Sequence, residues 1–376
     1  MTLPLPSAAP TVAPAPPLAG PIDAWIVGNP AAGRGAQRDG VAAAAAAWSA
    51  RGWRVSVHWT RAAGDAERVA RAAVAAGAGV VAAAGGDGTV HEVANGLVGT
   101  PAALAVLPAG TANVLAAQLG LVGWPSPWRR ADLAATAAAL AGGRVRAIDV
   151  GLARPTGAPP RAFVLWAGVG LDADVVHRLA GPARALKARH GPLAFAAVGW
   201  RALRAARGCD AIVRGDGARS RVRLYGAVVC NIPLYAGLFR LAPEARLDDG
   251  RLDLALFAGP SRHGALATWL RAGGLPGPRS FARRVVQGRP DPTRALATAV
   301  RSLRIVARPS AAVHLDGEPA GTTPLDVAVG PHALRLVVPA AAPPWLWDGG
   351  PAPASPPAAD ASARGPSAGR FGGRSR

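Results

Sequence analysis

The 376-residue sequence is poor in several residue types, and each shortage argues against a class of protein. Its two cysteines, Cys209 and Cys230, form no C-x-x-C pair and are too few for a disulfide framework, so we expect a reducing cytoplasm. Only six phenylalanines and two tyrosines occur. No zinc-finger spacing, leucine-zipper heptad or RNA-recognition aromatic motif is present, so we expect no nucleic-acid partner.

Long apolar runs are also missing. The longest, residues 72–86, is too short for a transmembrane helix and leads directly into Asp87. Residues 1–21 lack a basic stretch and are broken by prolines, which predicts a disordered leader rather than a secretory signal. Residues 340–376 are rich in Pro, Ala, Gly and Ser and end in arginines, which predicts a disordered basic tail.

Positive charge, in contrast, is abundant. The chain has 42 basic and 22 acidic residues, a net charge of +20, and Lys187 is its only lysine. This balance favours anionic partners such as nucleotide phosphates or an anionic membrane surface. An arginine excess produced by codon usage is an equally good explanation of the same numbers.

The order of apolar segments predicts an α/β protein with two domains. Residues 22–147 alternate short strands with amphipathic helices, as in a doubly wound parallel sheet with helices on both faces. Residues 148–339 contain many short strands separated by Gly, Pro and Asp turns, which predicts a β-sandwich-like second domain. A helical insert at about residues 174–206 interrupts these strands.

Three glycine-containing loops in the first domain follow predicted strands: GNPAAGRG at 28–35, GGDGT at 85–89 and LPAGTAN at 107–113. Each occupies a strand-to-helix turn, where free backbone N–H groups and the helix dipole favour an anion. Glycine allows the backbone to approach phosphate oxygens closely. The loops therefore predict a polyphosphate ligand, although they match neither the Walker A pattern nor the G-x-G-x-x-G fingerprint.

In combination and in order, the motifs of this chain resemble the diacylglycerol kinase catalytic family, which includes bacterial lipid kinases. The resemblance rests on GNPAAG, GGDGTVHEVANGL, LPAGTANVLA, GVGLDADVV, CNIPLYAGLFRLAPEARLDDGRLDLALF and VHLDGEP, and it spans residues 23–339. It implies a nucleotide domain related to that of NAD kinases and phosphofructokinases, a β-sandwich domain, and an active site between them. It also implies transfer of phosphate from ATP, with Mg²⁺, to a lipid hydroxyl.

The resemblance further implies roles for individual residues. Those expected to hold the nucleotide are Asn29, Gly33, Gly85, Gly86, Asp87, Gly88, Thr89, Glu92, Gly110, Thr111 and Asn113. From the residues alone, turn aspartates often bond their own backbone, and a helical glutamate such as Glu92 is often simply solvated.

The same resemblance implies that Asp316 is the general base, with Glu318 beside it. We expect these two carboxylates on the same side of an extended chain, the alternative being a plain Asp-Gly hairpin turn. Asp249 is expected to bind a structural magnesium ion with the carbonyls of Arg246 and Arg251, the alternative being a solvated turn.

Two positions depart from the family pattern. Ala32 stands where the family often has serine, and Val114 stands where it has aspartate, which leaves the finer nucleotide and metal geometry open. We assign no role to the histidines near the motifs, which are His91, His177 and His314. Trp124 and Trp128, with Arg129, Arg130 and the helical insert, are candidates for membrane contact, with ordinary packing as the alternative.

These observations predict a cytoplasmic enzyme that visits the membrane surface and phosphorylates diacylglycerol or a similar long-chain lipid alcohol. A first alternative is an NAD kinase-like phosphotransferase. A second is a nucleotide- or lipid-binding module with weak or no turnover. The sequence selects neither the lipid acceptor nor the oligomeric state.

Overall fold

The structure is a computed structural model of the full chain. It describes residues 18, 20–32, 37–122, 131–179, 198, 201–202, 204–235, 239–259, 261, 263–264 and 298–350. Gly33, the segment with Trp124 and Trp128, and most of the predicted helical insert lie outside these residues. Among the described residues, no helix is both long enough and apolar enough to span a bilayer.

The first domain is the predicted doubly wound parallel sheet, with four parallel strands in the order β2-β1-β3-β4. Its elements are β1 Asp23–Gly28, α1 Gln37–Ser49, β2 Arg54–Trp59, α2 Asp65–Ala75, β3 Val80–Gly85, α3 Asp87–Leu97, β4 Ala103–Pro108, α4 Val114–Gln118 and α5 Leu133–Ala141. Strands β3 and β4 are buried along their whole length, because helices cover both faces of the sheet. Helices α1 and α5 pack on one face, and α2 and α3 on the other.

The second domain is the predicted β-sandwich, built from antiparallel strands. Its elements are β5 Arg144–Thr156, β6 Arg161–Phe163, β7 Trp166–Gly170, α6 Leu171–Leu179, β8 Cys209–Gly215, β9 Ala218–Cys230, β10 Leu234–Tyr235, β11 Phe239–Arg240, β12 Leu252–Ala258, β13 Thr298–Val300, β14 Ser302–Arg308, β15 Ala312–Leu315 and β16 Glu318–Val338. The inward side chains of these strands form one apolar core, to which Phe163, Leu224, Ile305 and Leu325 contribute.

The two domains share β16. This 21-residue strand starts in the sandwich, pairs with β5 for most of its length, and ends beside β4, where Arg335 and Leu336 face Ala103 and Leu104 in parallel register. The predicted boundary between residues 147 and 148 falls inside β5. The chain therefore passes from one domain to the other through paired strands rather than through a linker.

The tail predicted to be disordered from residue 340 does not begin there, and that prediction was wrong for residues 340–350. A short 3₁₀ helix at Pro344–Leu346 places Leu346 and Trp347 in an apolar core to which both domains contribute. The Leu247 amide donates to the Leu346 carbonyl at 2.9 Å, and the Arg146 guanidinium lies 4.1 Å from the centre of the Trp347 ring. The low-complexity composition of this segment did not indicate that two of its large apolar side chains, Leu346 and Trp347, would be buried.

Candidate active site

The three glycine-containing turns meet at the carboxyl edge of the parallel sheet. Asn29, after β1, donates from Nδ2 to Thr89 Oγ1 at 3.1 Å, and its Oδ1 accepts from the Ala31 amide at 2.9 Å. The Val114 amide, at the start of α4, donates to Asp87 Oδ1 at 2.8 Å. The turns after β1, β3 and β4 are therefore joined by direct contacts into one surface.

Glycine is needed in two of these turns because the protein itself fills the space that a Cβ would take. A Cβ on Gly110 would lie 2.3 Å from Gly86 Cα, so the second and third turns touch through their backbones. A Cβ on Gly85 would lie 2.3 Å from Thr89 Oγ1. Asn113, with a left-handed φ of 49°, closes the third turn by bonding both the N–H and the carbonyl of Gly110 at 2.9 Å.

Asp87 sits at the start of α3, half-buried between the turns. Burial raises the pKa of its carboxyl group to about 6, and the nearby Asp316 carboxylate raises it further, while the Val114 amide opposes the rise. Val114 therefore has two structural roles in this chain. Its side chain packs in the core, and its N–H donates a hydrogen bond to Asp87.

Asp316 does not have the surroundings of a general base. Its side chain is 1% exposed, and its two oxygens accept from the amides of Val164, Leu165 and Trp166 and from His91 Nδ1, all at 2.8–3.0 Å. A carboxylate has about four lone-pair sites, so these donors occupy all of them. The side chain is an internal acceptor that fixes the segment 164–166 against its own turn.

The expectation that Asp316 and Glu318 lie on the same side of an extended chain was wrong. Asp316 and Gly317 have φ values of 49° and 84°, and Leu315 pairs with Glu318 across them. This is a two-residue hairpin turn, which requires left-handed φ at both central residues and for which Asp-Gly is a preferred pair. The turn sends the two carboxylates in different directions.

Glu318 points to the start of α3. It is exposed, and a Cβ on Gly88 would lie 2.8 Å from Glu318 Oε1. The second domain therefore places an accessible carboxylate directly at the first turn of α3. Thr111 is exposed on the same edge of the sheet.

Glu92 has a structural contact that the sequence did not reveal. Its two oxygens accept from the amides of Gly64 and Ala66, at 2.9 and 3.0 Å, at the start of α2. Since Gly64 is the N-cap and has no side chain to bond these amides, Glu92 supplies the cap from a neighbouring helix. This contact joins α2 to α3, while nucleotide binding by Glu92 stays a prediction.

His91, to which the sequence assigned no role, connects the two domains. Its Nδ1 bonds Asp316 Oδ2 at 2.9 Å, and its Nε2 accepts from Arg161 Nε at 3.3 Å. Arg161 is held in turn by Glu67 of α2 at 2.6 Å. One turn along α3, Asn95 bonds both the N–H and the carbonyl of Ala162 in β6.

The spacing of His91 and Asn95 was the available signal for this contact. Residues four apart share one face of a helix, and here that face is the one turned toward the second domain. The two other histidines are packed: His177 bonds the Val313 carbonyl, and His314 bonds Asp172 and accepts from the Gly317 amide.

The predicted metal site lies in the acidic loop, which we define as residues 247–253. Asp249 accepts from the Arg251 amide at 3.0 Å, and burial together with the charge of nearby Asp149 raises its pKa. In Asp253, burial and the charges of Asp249 and Glu244 raise the pKa to about 6. Within the part of the chain that the structure describes, no three Asp, Glu, His or Cys side chains converge as a ready metal site.

Comparison with known protein families divides the chain into the same two domains. Residues 23–153 match the model of the diacylglycerol kinase catalytic domain, and residues 166–338 match that of the YegS C-terminal NAD kinase beta sandwich-like domain. A Bacillus subtilis diacylglycerol kinase is 30% identical over 235 residues, which span 62% of this chain and 73% of that protein. A Pseudomonas putida YegS-like lipid kinase is 31% identical over 295 residues, or 78% and 88% of the two chains.

The fold is also similar to that of solved structures. The crystal structure of a diacylglycerol kinase from Bacillus anthracis superposes with a TM-score of 0.62 at 18% identity, covering 85% of this chain and 98% of that one. At this level of identity the likeness concerns the fold alone.

Proposed function

Because the chain belongs to the family of diacylglycerol kinases and YegS-like lipid kinases, we propose that it transfers the γ-phosphoryl group of ATP to the hydroxyl of diacylglycerol or a similar long-chain lipid alcohol. One observation carries the proposal. The exposed Glu318 carboxylate of the second domain lies against the first turn of α3, where the three turns of the first domain meet.

The start of α3 suits the phosphates of ATP. Its N-cap is Gly86, which has no side chain to bond the first amides of the helix, and the helix continues for 11 residues from Asp87. Unbonded N–H groups at the positive end of a helix dipole bind phosphate oxygens well. Asn29 and Thr89 hold this surface in place by bonding each other across the first two turns, and Asn113 closes the third turn by bonding Gly110.

Magnesium also suits the residues at this place. Asp87 supplies a carboxylate oxygen, and Mg²⁺ at phosphoryl-transfer sites is usually held by one or two carboxylates together with substrate phosphates and water. When bound, the ion would neutralise charge on the transferring phosphoryl group. A second ion at Asp249, with the carbonyls of Arg246 and Arg251, remains a proposal for the acidic loop.

We assign the role of general base to Glu318 rather than to Asp316. A base must be within hydrogen-bond reach of the hydroxyl whose proton it takes, and Glu318 is exposed at the edge of the sheet while Asp316 is enclosed by four donors. Asp316 is instead a positioning residue. By holding residues 164–166 and His91, it fixes the hairpin that carries Glu318.

His91 and Asn95 position the same hairpin from the first domain. They bond Asp316 and Ala162 from one face of the helix whose first turn is the proposed phosphate site. The distance between the phosphates and Glu318 is then set by rigid elements rather than by loops. A lipid acceptor also requires access to a membrane, and we propose that the protein associates peripherally with one.

The test is transfer of labelled phosphate from ATP and Mg²⁺ to a panel of lipid alcohols, namely diacylglycerol, ceramide, a sphingoid base and an isoprenoid alcohol, with NAD as a separate acceptor. We expect at least one lipid to be labelled by the wild-type chain. Glu318→Gln should reduce kcat by 10²–10⁴-fold, the usual contribution of a general base. Asp39→Asn, a carboxylate-to-amide change on the exposed face of α1, is the matched control and should retain full activity.

Other outcomes of this panel decide against the proposal. Labelled NAD without labelled lipid would identify an NAD kinase-like enzyme. ATP binding with no labelled acceptor would identify a binding module. Full activity of Glu318→Gln would remove Glu318 from the base role.

A further inference from the structure

The second domain has a strongly basic outer face. Five neighbouring strands, in the order β9-β8-β14-β16-β5, present it, and their alternate residues point inward to the sandwich core. We call this surface the basic face and define it by its outward-pointing arginines, which are Arg154, Arg214, Arg219, Arg221, Arg223, Arg304 and Arg308. Asp210 and Asp326 are the acidic residues on the same rows, so these side chains carry a net charge of +5.

Arginines lie directly opposite one another across these strands. Arg214 of β8 is in register with Arg219 of β9 on one side and with Arg304 of β14 on the other. Directly opposed residues on one face of a sheet have Cβ atoms about 5 Å apart, and like charges in such pairs are destabilising. The row Arg219-Arg214-Arg304 therefore opposes the stability of the sheet that carries it.

Acidic neighbours neutralise only part of the row. Arg223 pairs with Asp210 at 3.3 Å, and Arg304 pairs with Asp326 at 3.4 Å. Within the described residues, however, Arg214, Arg219 and Arg221 are exposed and form no ion pair with a carboxylate. A general arginine excess accounts for many basic residues, but it does not explain why unpaired ones are concentrated on neighbouring strands of one surface.

We propose that the basic face docks on an anionic lipid bilayer. This inference extends the proposed function, since an enzyme that acts on a membrane lipid must reach the bilayer. The face is about 19 Å wide at the usual strand spacing of about 4.8 Å, and its apolar positions, such as Ile212 and Val306, are half-buried rather than protruding. Such a surface lies on the headgroups and does not insert.

Strand β16 links the basic face to the candidate active site. It begins with Glu318 and carries Asp326 on the basic face eight residues later, a separation of at most about 27 Å at about 3.4 Å per residue. Docking would therefore place Glu318 within about 27 Å of a residue that lies on the lipid surface. Because each arginine near an anionic surface contributes on the order of five-fold to the binding constant, Arg214, Arg219 and Arg221 together contribute on the order of 100-fold.

The test is sedimentation of the full-length protein with vesicles of phosphatidylcholine containing either 30% phosphatidylglycerol or none. The variant Arg214→Glu/Arg221→Glu reverses two charges of the basic face. The control Arg51→Glu/Arg68→Glu makes the same change in net charge on the exposed surface of the first domain. Glu at position 214 would face Arg219 and Arg304, so we expect the melting temperature of the variant to equal or exceed that of wild type.

We expect wild type to bind the anionic vesicles only, and to be released in about 0.5 M salt, where the Debye length falls to a few ångström. The basic-face variant should bind at least about 25-fold more weakly, and the control should lose less than about three-fold. Equal losses in both variants, or undiminished binding by the basic-face variant, would overturn the proposal. So would loss of duplex-DNA binding in that variant with vesicle binding intact, since the face would then serve nucleic acid.

Phosphate transfer to a detergent-solubilised acceptor keeps this result separate from the proposed function. The basic-face variant should retain that activity, because its substitutions lie outside the candidate site. If no acceptor is labelled while vesicle binding follows the pattern above, the proposed reaction fails and the docking surface stands.

Discussion

The second domain contains two groups of buried or half-buried carboxylates that the protein treats differently. In the β15–β16 hairpin, Asp316 is surrounded by three backbone amides and His91. In and beside the acidic loop, Asp149 has two amide donors, Asp249 has one, and the pKa values of Asp149, Asp249 and Asp253 are all raised, in each case chiefly by burial.

This difference separates a carboxyl group that four donors hold in place from carboxyl groups that have few donors. Four donors around a carboxylate favour its ionised form, and the hydrogen bonds hold the donor groups in place. Carboxylates with few donors and like-charged neighbours favour protonation or a bound cation. The hairpin is therefore suited to positioning Glu318, and the acidic loop is suited to the magnesium ion proposed for Asp249.

The largest expected effect is on the anchored carboxylate. Asp316→Asn replaces one acceptor oxygen with an NH₂ group that faces existing donors, so it leaves buried donors without an acceptor. We expect a loss of about 3–5 kcal/mol in the free energy of unfolding, measured by urea denaturation, together with loss of activity. Unchanged stability would show that the four hydrogen bonds of Asp316 are unimportant to the hairpin.

The acidic loop should respond in the opposite direction. Asp253 has a pKa of about 6 in the folded protein against an ordinary value of 3.8, so the folded state binds its proton more tightly than the unfolded state. Its contribution to stability is therefore greatest below pH 4 and is lost as the pH rises to about 6, a change of about 3 kcal/mol. Asp253→Asn should be more stable than wild type at pH 7.5 in a chelator, and the advantage should vanish at pH 4.

Magnesium sharpens this second prediction. If the ion binds at Asp249, added Mg²⁺ should raise the melting temperature of the wild-type chain at pH 7.5, and Asp249→Asn should abolish the increase. If Mg²⁺ leaves the melting temperature unchanged in both the wild-type chain and Asp249→Asn, the loop is a solvated turn.

A smaller effect is expected where the hairpin meets α3. A methyl group on Gly88 would lie 2.8 Å from Glu318 Oε1, and Glu318 can move away because it is exposed. Gly88→Ala should therefore keep or slightly increase stability, since alanine favours helix, while kcat falls at least about ten-fold. The matched change Gly40→Ala, at a half-buried position of α1 near Leu133, should leave kcat unchanged.

The smallest expected effect concerns Glu92. Because it caps α2, Glu92→Ala should cost about 1 kcal/mol of stability, measured by thermal denaturation, and leave the KM for ATP unchanged. If Glu92→Ala raises the KM for ATP ten-fold at unchanged stability, Glu92 contributes to nucleotide binding.

Much of the fold was predictable because it depends on local patterns. Continuous apolar strands and amphipathic helices gave the parallel sheet, and short strands between turns gave the sandwich. The location of the three turns at one sheet edge also follows from the topology of parallel strands. The burial of Leu346 and Trp347 was not predictable, because it depends on packing against residues that are distant in sequence.

The candidate site was predictable by residue type but not by role. Asp-Gly-Glu is visible in the sequence, yet only the left-handed hairpin shows that Asp316 turns inward and Glu318 outward. Likewise, the contacts of Glu92 with Gly64 and Ala66, and of His91 with Arg161, join residues 26 to 70 positions apart. No local pattern encodes such pairs.

The most direct measurement is a crystal structure of the protein with Mg²⁺ and a non-hydrolysable ATP analogue. The account predicts that the terminal phosphate receives hydrogen bonds from amides in the first turn of α3, with the Glu318 carboxylate facing it across Gly88. A nucleotide bound away from α3, or a Glu318 side chain turned away from the terminal phosphate, would contradict it.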